Sequence, residues 1–264
     1  MYWDYHQENI SILGMQGSGK TTKAHDFLDT IPNTPRLIIS PQKPMELYGQ
    51  YGNPIYSVDE IIQGGAFVWN AHKPNEKMFN QICKKVMTLK NMVMVTDDAH
   101  EFCKKQKIPE EWDTLINSGR NRGITSIFIS PSPNLLNNTI LQSSQHLISY
   151  SFVLESQIEY ARKNFFGDIG YLLLFRPARP KKYKNYPQLE KHDYLHRFVG
   201  DDFVTWTDTQ NNSTQLKSIS DLKQTNQIVE DDTTENVEQT DAETIEDDAT
   251  ENVEELEQGE EEID

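Results

Sequence analysis

Apolar residues in this chain gather into runs of four to six, separated by longer stretches compatible with helix. Runs of that length, bounded by turn residues, read as strands buried on both faces. Asn9-Ile10-Ser11-Ile12-Leu13 is the first and ends in a glycine-rich loop; residues 20–28 follow without Gly or Pro and read as a helix. A second strand, 36–40, is flanked by Pro35 and Pro41, and a third, 66–69, is entered through Gly64-Gly65. A helix over about 76–89 leads into a fourth strand at 92–96. Residues 110–118 read as helix and 125–130 as a fifth strand; 147–153, a helix over about 155–165, and 171–175 add two more strands. This alternation predicts an α/β fold with a mostly parallel central sheet covered by helices on both faces.

The pattern fails beyond about residue 205. Residues 211–227 are polar, and the chain then repeats with a period of 16: Asp231-Asp232-Thr233-Thr234-Glu235-Asn236-Val237-Glu238 returns as Asp247-Asp248-Ala249-Thr250-Glu251-Asn252-Val253-Glu254. So little apolar surface cannot offset the entropy of ordering. The expected organisation is a folded domain over 1–205, a polar linker over 206–229 and a disordered acidic tail over 230–264. Composition changes meaning once the chain is divided this way. The 264 residues carry a formal net charge of −16, but 18 of the 41 acids lie between Glu230 and Asp264, where there is no Lys or Arg. The first 229 residues hold the other 23 acids against 25 bases, a net charge of +2, which leaves a nucleic-acid partner open.

Two cysteines, Cys83 and Cys103, are too few for a disulfide framework and stand in no metal-ligand spacing, so they read as reduced thiols. The start lacks a basic segment followed by an apolar one, and no apolar run approaches the roughly 20 residues of a membrane span. A cytoplasmic protein with no membrane span is expected.

Gly14-Met15-Gln16-Gly17-Ser18-Gly19-Lys20-Thr21 matches G-x-x-x-x-G-K-S/T in full, directly after a strand and opening a helix. Glycines let the backbone curl until several N–H groups point at phosphate oxygens, and the helix N-terminus adds its positive end. The residues expected to bind ATP are therefore Gly14, Met15, Gln16, Gly17, Ser18, Gly19, Lys20, Thr21 and Thr22. Lys20 would reach the β- and γ-phosphates, and the Thr21 hydroxyl would ligate Mg²⁺. A second signal is Val93-Met94-Val95-Thr96-Asp97-Asp98, an apolar strand that delivers acids at its C-terminal end. That is the Walker B arrangement: Asp97 would hold the magnesium and its water shell, and Asp98 would orient or deprotonate the water that attacks the γ-phosphate. A divalent cation lets two adjacent carboxylates stay ionised. An extra strand lies between the phosphate loop and the Walker B strand, and this favours the additional-strand ATPase branch over simple nucleotide kinases.

The segment Leu115-Ile116-Asn117-Ser118-Gly119-Arg120-Asn121-Arg122-Gly123-Ile124-Thr125-Ser126-Ile127-Phe128-Ile129-Ser130-Pro131-Ser132-Pro133 resembles the HerA/FtsK superfamily of DNA-pumping ATPases. In those proteins a helix ends in G-R-x-x-G and is followed by a strand and a Thr-Gln-x-Pro-like turn. Residues 134–141 resemble the family's next segment, and the compact length is similar to viral genome-packaging members. The resemblance spans about residues 8–178. It implies an ATP-hydrolysing translocase of double-stranded DNA that works as a homo-oligomeric ring, a hexamer, docked on a capsid or other protein. It also implies that Arg120 or Arg122 completes a neighbour's site as a finger, since a guanidinium against the γ-phosphate stabilises transition-state charge. Ser130 sits where a polar residue would touch the γ-phosphate or its water. The family's usual Gln falls on Pro131, which has no side-chain amide, and Asp98 stands where Glu is more frequent.

Weaker features carry less. Arg176-Pro177-Ala178-Arg179-Pro180-Lys181-Lys182-Tyr183-Lys184 would contact phosphates or simply be a solvated loop. His192 and His196 have the spacing of metal ligands on one helical face but lack a third ligand, and His100 beside the Walker B acids reads as packing. A P-loop nucleotide or nucleoside kinase, or a non-motor nucleotide switch or scaffold, remain alternatives to the motor.

Overall fold

The computed structural model describes residues 7–173, 189–218 and 220–221. The expected basic run at 176–184 and the acidic tail at 230–264 lie outside the described residues. In chain order the strands are β1 (Asn9–Leu13), β2 (Arg36–Ile39), β3 (Asn53–Ile55), β4 (Ala66–Trp69), β5 (Met92–Thr96), β6 (Ile124–Ser130), β7 (His146–Ser149), β8 (Tyr194–Phe198), β9 (Val204–Thr207) and β10 (Ser213–Leu216). The helices are α1 (Lys20–Thr30), α2 (Pro44–Tyr48), α3 (Glu76–Thr88), α4 (Glu110–Ser118), α5 (Asn138–Ser143) and α6 (Glu155–Ala161). The described strands form one sheet in the order β10-β9-β8-β7-β1-β6-β5-β2-β4-β3. From β7 to β3 every pairing is parallel, and β8, β9 and β10 extend the β7 edge as an antiparallel meander.

The α/β fold with its mostly parallel sheet is therefore as expected. The extra strand read ahead of the acid-bearing strand in the chain is β4, which lies beyond β2; the strand that separates the loop-bearing β1 from the acid-bearing β5 is β6, which follows β5 in the chain. Register aligns their ends: Leu13 pairs with Ser130, and Thr96 with Phe128. Alternate strand residues feed two apolar layers. Ile10, Ile12, Ile38, Val93, Val95, Ile127 and Ile129 pack with Ala24, Phe27 and Leu28 of α1 and Tyr48 of α2. On the other face Leu37, Ile39, Met92, Met94 and Phe128 meet Phe79, Ile82, Cys83 and Val86 of α3 and Trp112, Leu115 and Ile116 of α4. Trp112 sits edge-on to Phe79, with ring centroids 4.9 Å apart.

Several boundaries differ from expectation. Residues 171–173, read as the start of a strand, belong to a 3₁₀ segment, Gly167–Leu173, that follows a π-helical turn, Arg162–Phe166. Their apolar side chains do pack inward, so burial was legible where backbone geometry was not. The expected domain end at 205 falls inside β9, and β10 lies within the stretch read as linker. The strand expected over 147–153 is shorter, His146–Ser149. Between 40 and 66 the chain builds α2 and the edge strand β3, each too short to leave a periodic signal; Pro54 is tolerated on β3 because an edge strand has no second ladder to supply.

Candidate functional site

The C-terminal ends of β1, β6 and β5 meet at one edge of the sheet, and there the phosphate loop and the two acids come together. The loop is fastened at its root by main chain: the Gly14 amide donates to the Ser130 carbonyl at 3.3 Å and the Met15 amide to the Ser151 carbonyl at 3.1 Å. Gly14 has no room for a side chain, since a Cβ there would lie 2.6 Å from Tyr150 Cβ. Gly19 precedes α1 at φ 105°, a conformation that favours glycine. Helix α1 has no side-chain cap and no acid in its first turn, so its leading amides stay open to an anion.

Lys20 folds back over the loop and donates to the Met15 carbonyl at 2.8 Å. Burial lowers the pKa of its ammonium below the usual lysine value, while the charges of Asp97 and Asp98 oppose that shift. Asp97 is 6% exposed. One carboxylate oxygen accepts from the Asp98 amide at 2.9 Å; the other accepts from the Tyr48 hydroxyl at 3.0 Å and, at 3.4 Å, from the Ser40 hydroxyl, which shares its one proton with the Gln42 carbonyl at 3.0 Å. Burial and then the neighbouring Asp98 charge raise the Asp97 pKa, against the pull of Tyr48, the Asp98 amide and Lys20. Asp98 adopts φ 47°, ψ 45°, a left-handed conformation that aspartate tolerates better than most residues, and it starts a 3₁₀ turn, Ala99–Glu101.

Thr21 and Asp97 offer hard oxygen donors, and among the described residues no group of three His, Cys, Asp or Glu could hold a metal by itself. That donor set suits magnesium, which is usually held by one or two carboxylates together with substrate phosphates.

The other expected residues are distributed differently. Ser130 is fully buried beside the loop, but its hydroxyl donates to the Ser132 carbonyl at 3.0 Å and so serves its own turn. Arg120 and Arg122 lie in a 3₁₀ turn, Gly119–Arg122, ahead of β6, at the opposite end of that strand from the loop. Seven residues at about 3.3 Å each put roughly 20 Å between them and the phosphate loop of their own chain. Both are exposed and border an open cleft with Gln7, Lys90 and Asn91. The His192 and His196 pairing is not helical. His192 lies in a turn with its Nδ1 3.1 Å from the Ser18 carbonyl, whereas His196 on β8 stacks against His146 with 3.0 Å between ring nitrogens. His100 is half-buried, 3.6 Å from Glu101. Tyr48, Ser40, Tyr150 and His192 all touch the loop or the acid; no motif pointed to the first three, and His192 was singled out only as half of a metal-ligand spacing. Ser40 ends the strand read over 36–40, and Tyr48 lies inside the stretch after it in which no element was read.

No protein-family model matches the chain, and no curated protein matches it in sequence. Solved structures do match in fold. The genome packaging NTPase B204 from Sulfolobus turreted icosahedral virus 2, in complex with ATP-gammaS, superposes with a TM-score of 0.60 at 14% identity, over 82% of this chain and 100% of that one. B204, the DNA-packaging ATPase from Sulfolobus Turreted Icosahedral Virus, gives 0.56 at 16% identity over 80% and 98%. EssC (ATPases 2 and 3) from Geobacillus thermodenitrificans gives 0.50 at 12% identity over 86% of this chain and 45% of that one. At identities of 12–16% these likenesses are of fold, and they span 80–86% of the chain.

Proposed function

We propose that this chain is the ATP-hydrolysing subunit of a motor that moves double-stranded DNA, of the viral genome-packaging type, and that it works as a homo-oligomeric ring, a hexamer. The observation that carries the reading is the shared edge: a full phosphate loop on β1 and an acid pair on β5, separated by the strand β6. That arrangement belongs to the ATPase branch and disfavours a nucleotide kinase, in which the two strands would be neighbours. Fold similarity to the packaging NTPases supports the same conclusion.

In this reading the loop amides beyond the two that root it, from residues 16 to 22, cradle the phosphates, and the Lys20 ammonium sits against the β- and γ-oxygens. Thr21 and Asp97 would hold magnesium, whose charge would offset that developing on the phosphate oxygens. Asp98, released from main-chain duties at its carboxylate, orients the attacking water and accepts its proton. Arg120 or Arg122 cannot reach across its own subunit and so acts on the neighbour's γ-phosphate, which couples hydrolysis to assembly. Ser130 holds the loop's root and the turn beside the γ-phosphate. The partners are duplex DNA and a docking protein such as a capsid component, and the setting is the host cytoplasm.

Hydrolysis measured with and without duplex DNA tests the reading. Wild type should turn over ATP faster with DNA, and Lys20→Ala and Asp98→Asn should each lose at least about a hundredfold in turnover. Turnover indifferent to DNA, together with phosphorylation of nucleoside acceptors, would sink the motor reading.

A further inference from the structure

Between the two residues assigned to magnesium stands a tyrosine that belongs to neither motif. Tyr48 ends α2 and is fully buried among the apolar side chains of the α1 face, where Ile38 and Val68 also lie. Its ring is edge-on to His25 at 5.2 Å. A phenol in such a place needs one hydrogen-bond partner, and a phenylalanine would fill the same space without needing any. The partner here is Asp97, whose Oδ2 lies 3.0 Å from the Tyr48 hydroxyl. Thr21, in the first turn of α1, interacts with the same hydroxyl from the phosphate-loop side.

The rest of the carboxylate is equally constrained. Ser40, just past β2, gives a longer bond to Oδ2, and Oδ1 is taken by the next amide in the chain. Two of the three donors on Asp97 therefore come from the segment between the end of β2 and the end of α2, residues 40–48, and of these Tyr48 has the shorter bond. A carboxylate that ligates or steers a hydrated cation works only if its plane is held, and such holding partners typically matter 10- to 100-fold for metal affinity. The geometry points to Tyr48 as a positioning residue for the magnesium site: its buried hydroxyl holds Asp97 Oδ2 and sets the carboxylate's orientation. The inference rests on the ATPase reading above, and it makes the end of α2 part of the site.

The test is Tyr48→Phe in the full chain, with ADP binding followed by calorimetry in excess chelator and then across a magnesium titration. The expected result is ADP affinity within about twofold of wild type in chelator, and a magnesium half-saturation raised roughly 10- to 100-fold. Ser40→Ala should move the same parameter in the same direction by less. An unchanged half-saturation in Tyr48→Phe overturns the proposal. So does an equal loss of ADP affinity with and without magnesium, which would mark the tyrosine as a packing residue. Melting curves of both variants establish that they are folded. Wild type that binds no ADP, or binds it no better than Lys20→Ala does, would instead refute the nucleotide site itself, an outcome distinct from failure of the tyrosine.

Discussion

The two ends of this sheet are built on opposite principles. At the C-terminal end, polar groups are buried and interlocked: Asp97 has three donors, Ser130 serves both its own turn and the Gly14 amide, and Lys20 is bonded to the loop it spans. At the N-terminal end two arginines of one short turn, Arg120 and Arg122, are exposed, and neither pairs with an acid among the described residues. A third arginine at that end shows how much context decides. Arg36, 2% exposed at the start of β2, donates to the carbonyls of Leu28, Ile31, Pro32 and Thr34 and so closes the C-terminal end of α1. Burial lowers the pKa of its guanidinium. One residue type thus serves as a structural clasp in one place and as a projecting cation in another, and only the second suits a role on a different subunit.

The contrast can be broken experimentally, and the largest effect should come from the exposed pair. Whichever of Arg120 and Arg122 is the finger should, as Ala, lower turnover by about a thousandfold while melting stays within about 0.5 kcal/mol of wild type. Mixing that variant with Lys20→Ala should restore part of the activity, because some sites then combine an intact loop with an intact arginine. No recovery in confirmed mixed assemblies would count against a finger supplied by a neighbour. Arg36→Met should do the reverse. It strands buried carbonyls, so denaturant unfolding should show a loss of about 3 kcal/mol, with magnesium-dependent ADP affinity retained by whatever fraction is folded. An Arg36→Met protein as stable as wild type would remove the distinction drawn here.

The smallest effect concerns the imidazoles of the same end. His146 is bonded to Glu8 and to His196, and burial, then the His146 and Lys23 charges, hold His196 down to about 3. An unfolded chain takes up that proton near pH 6.5, whereas the folded one stays neutral until about 3. The pair's stability is therefore intact above about 6.5 and declines as pH falls toward 3, by about 2 kcal/mol for His196 at pH 5. Chemical unfolding at pH 7 and pH 5 should show that loss in wild type and a smaller one in His196→Gln; equal losses would exclude His196 as its source.

Long-range order in this molecule was legible where local signals were strong. The buried strand 92–96 came through as a nearly continuous apolar run, because a strand covered on both faces needs few polar positions, and 9–13, despite Asn9 and Ser11, came through by its Ile and Leu residues ahead of the glycine-rich loop. The phosphate loop was legible because its glycines answer to backbone geometry that few other residues satisfy. Edge elements were not. β10 places polar side chains toward solvent along most of its length, β9 is only four residues long, and the five residues of α2 cannot complete two turns. Tyr48 and Ser40 were invisible for another reason: they act on Asp97 across separations of 49 and 57 residues, which no local window spans.

By itself, then, the chain specified a parallel α/β sheet, a phosphate loop and an acid pair, since each depends on neighbours in sequence and on hydrophobic period. Tertiary structure decided which arginine is buried and which projects, that Ser130 turns its hydroxyl inward, and that a tyrosine from an unremarked short helix grips the acid. Those outcomes depend on strand order and register, which bring distant residues together and are set by packing of the whole sheet.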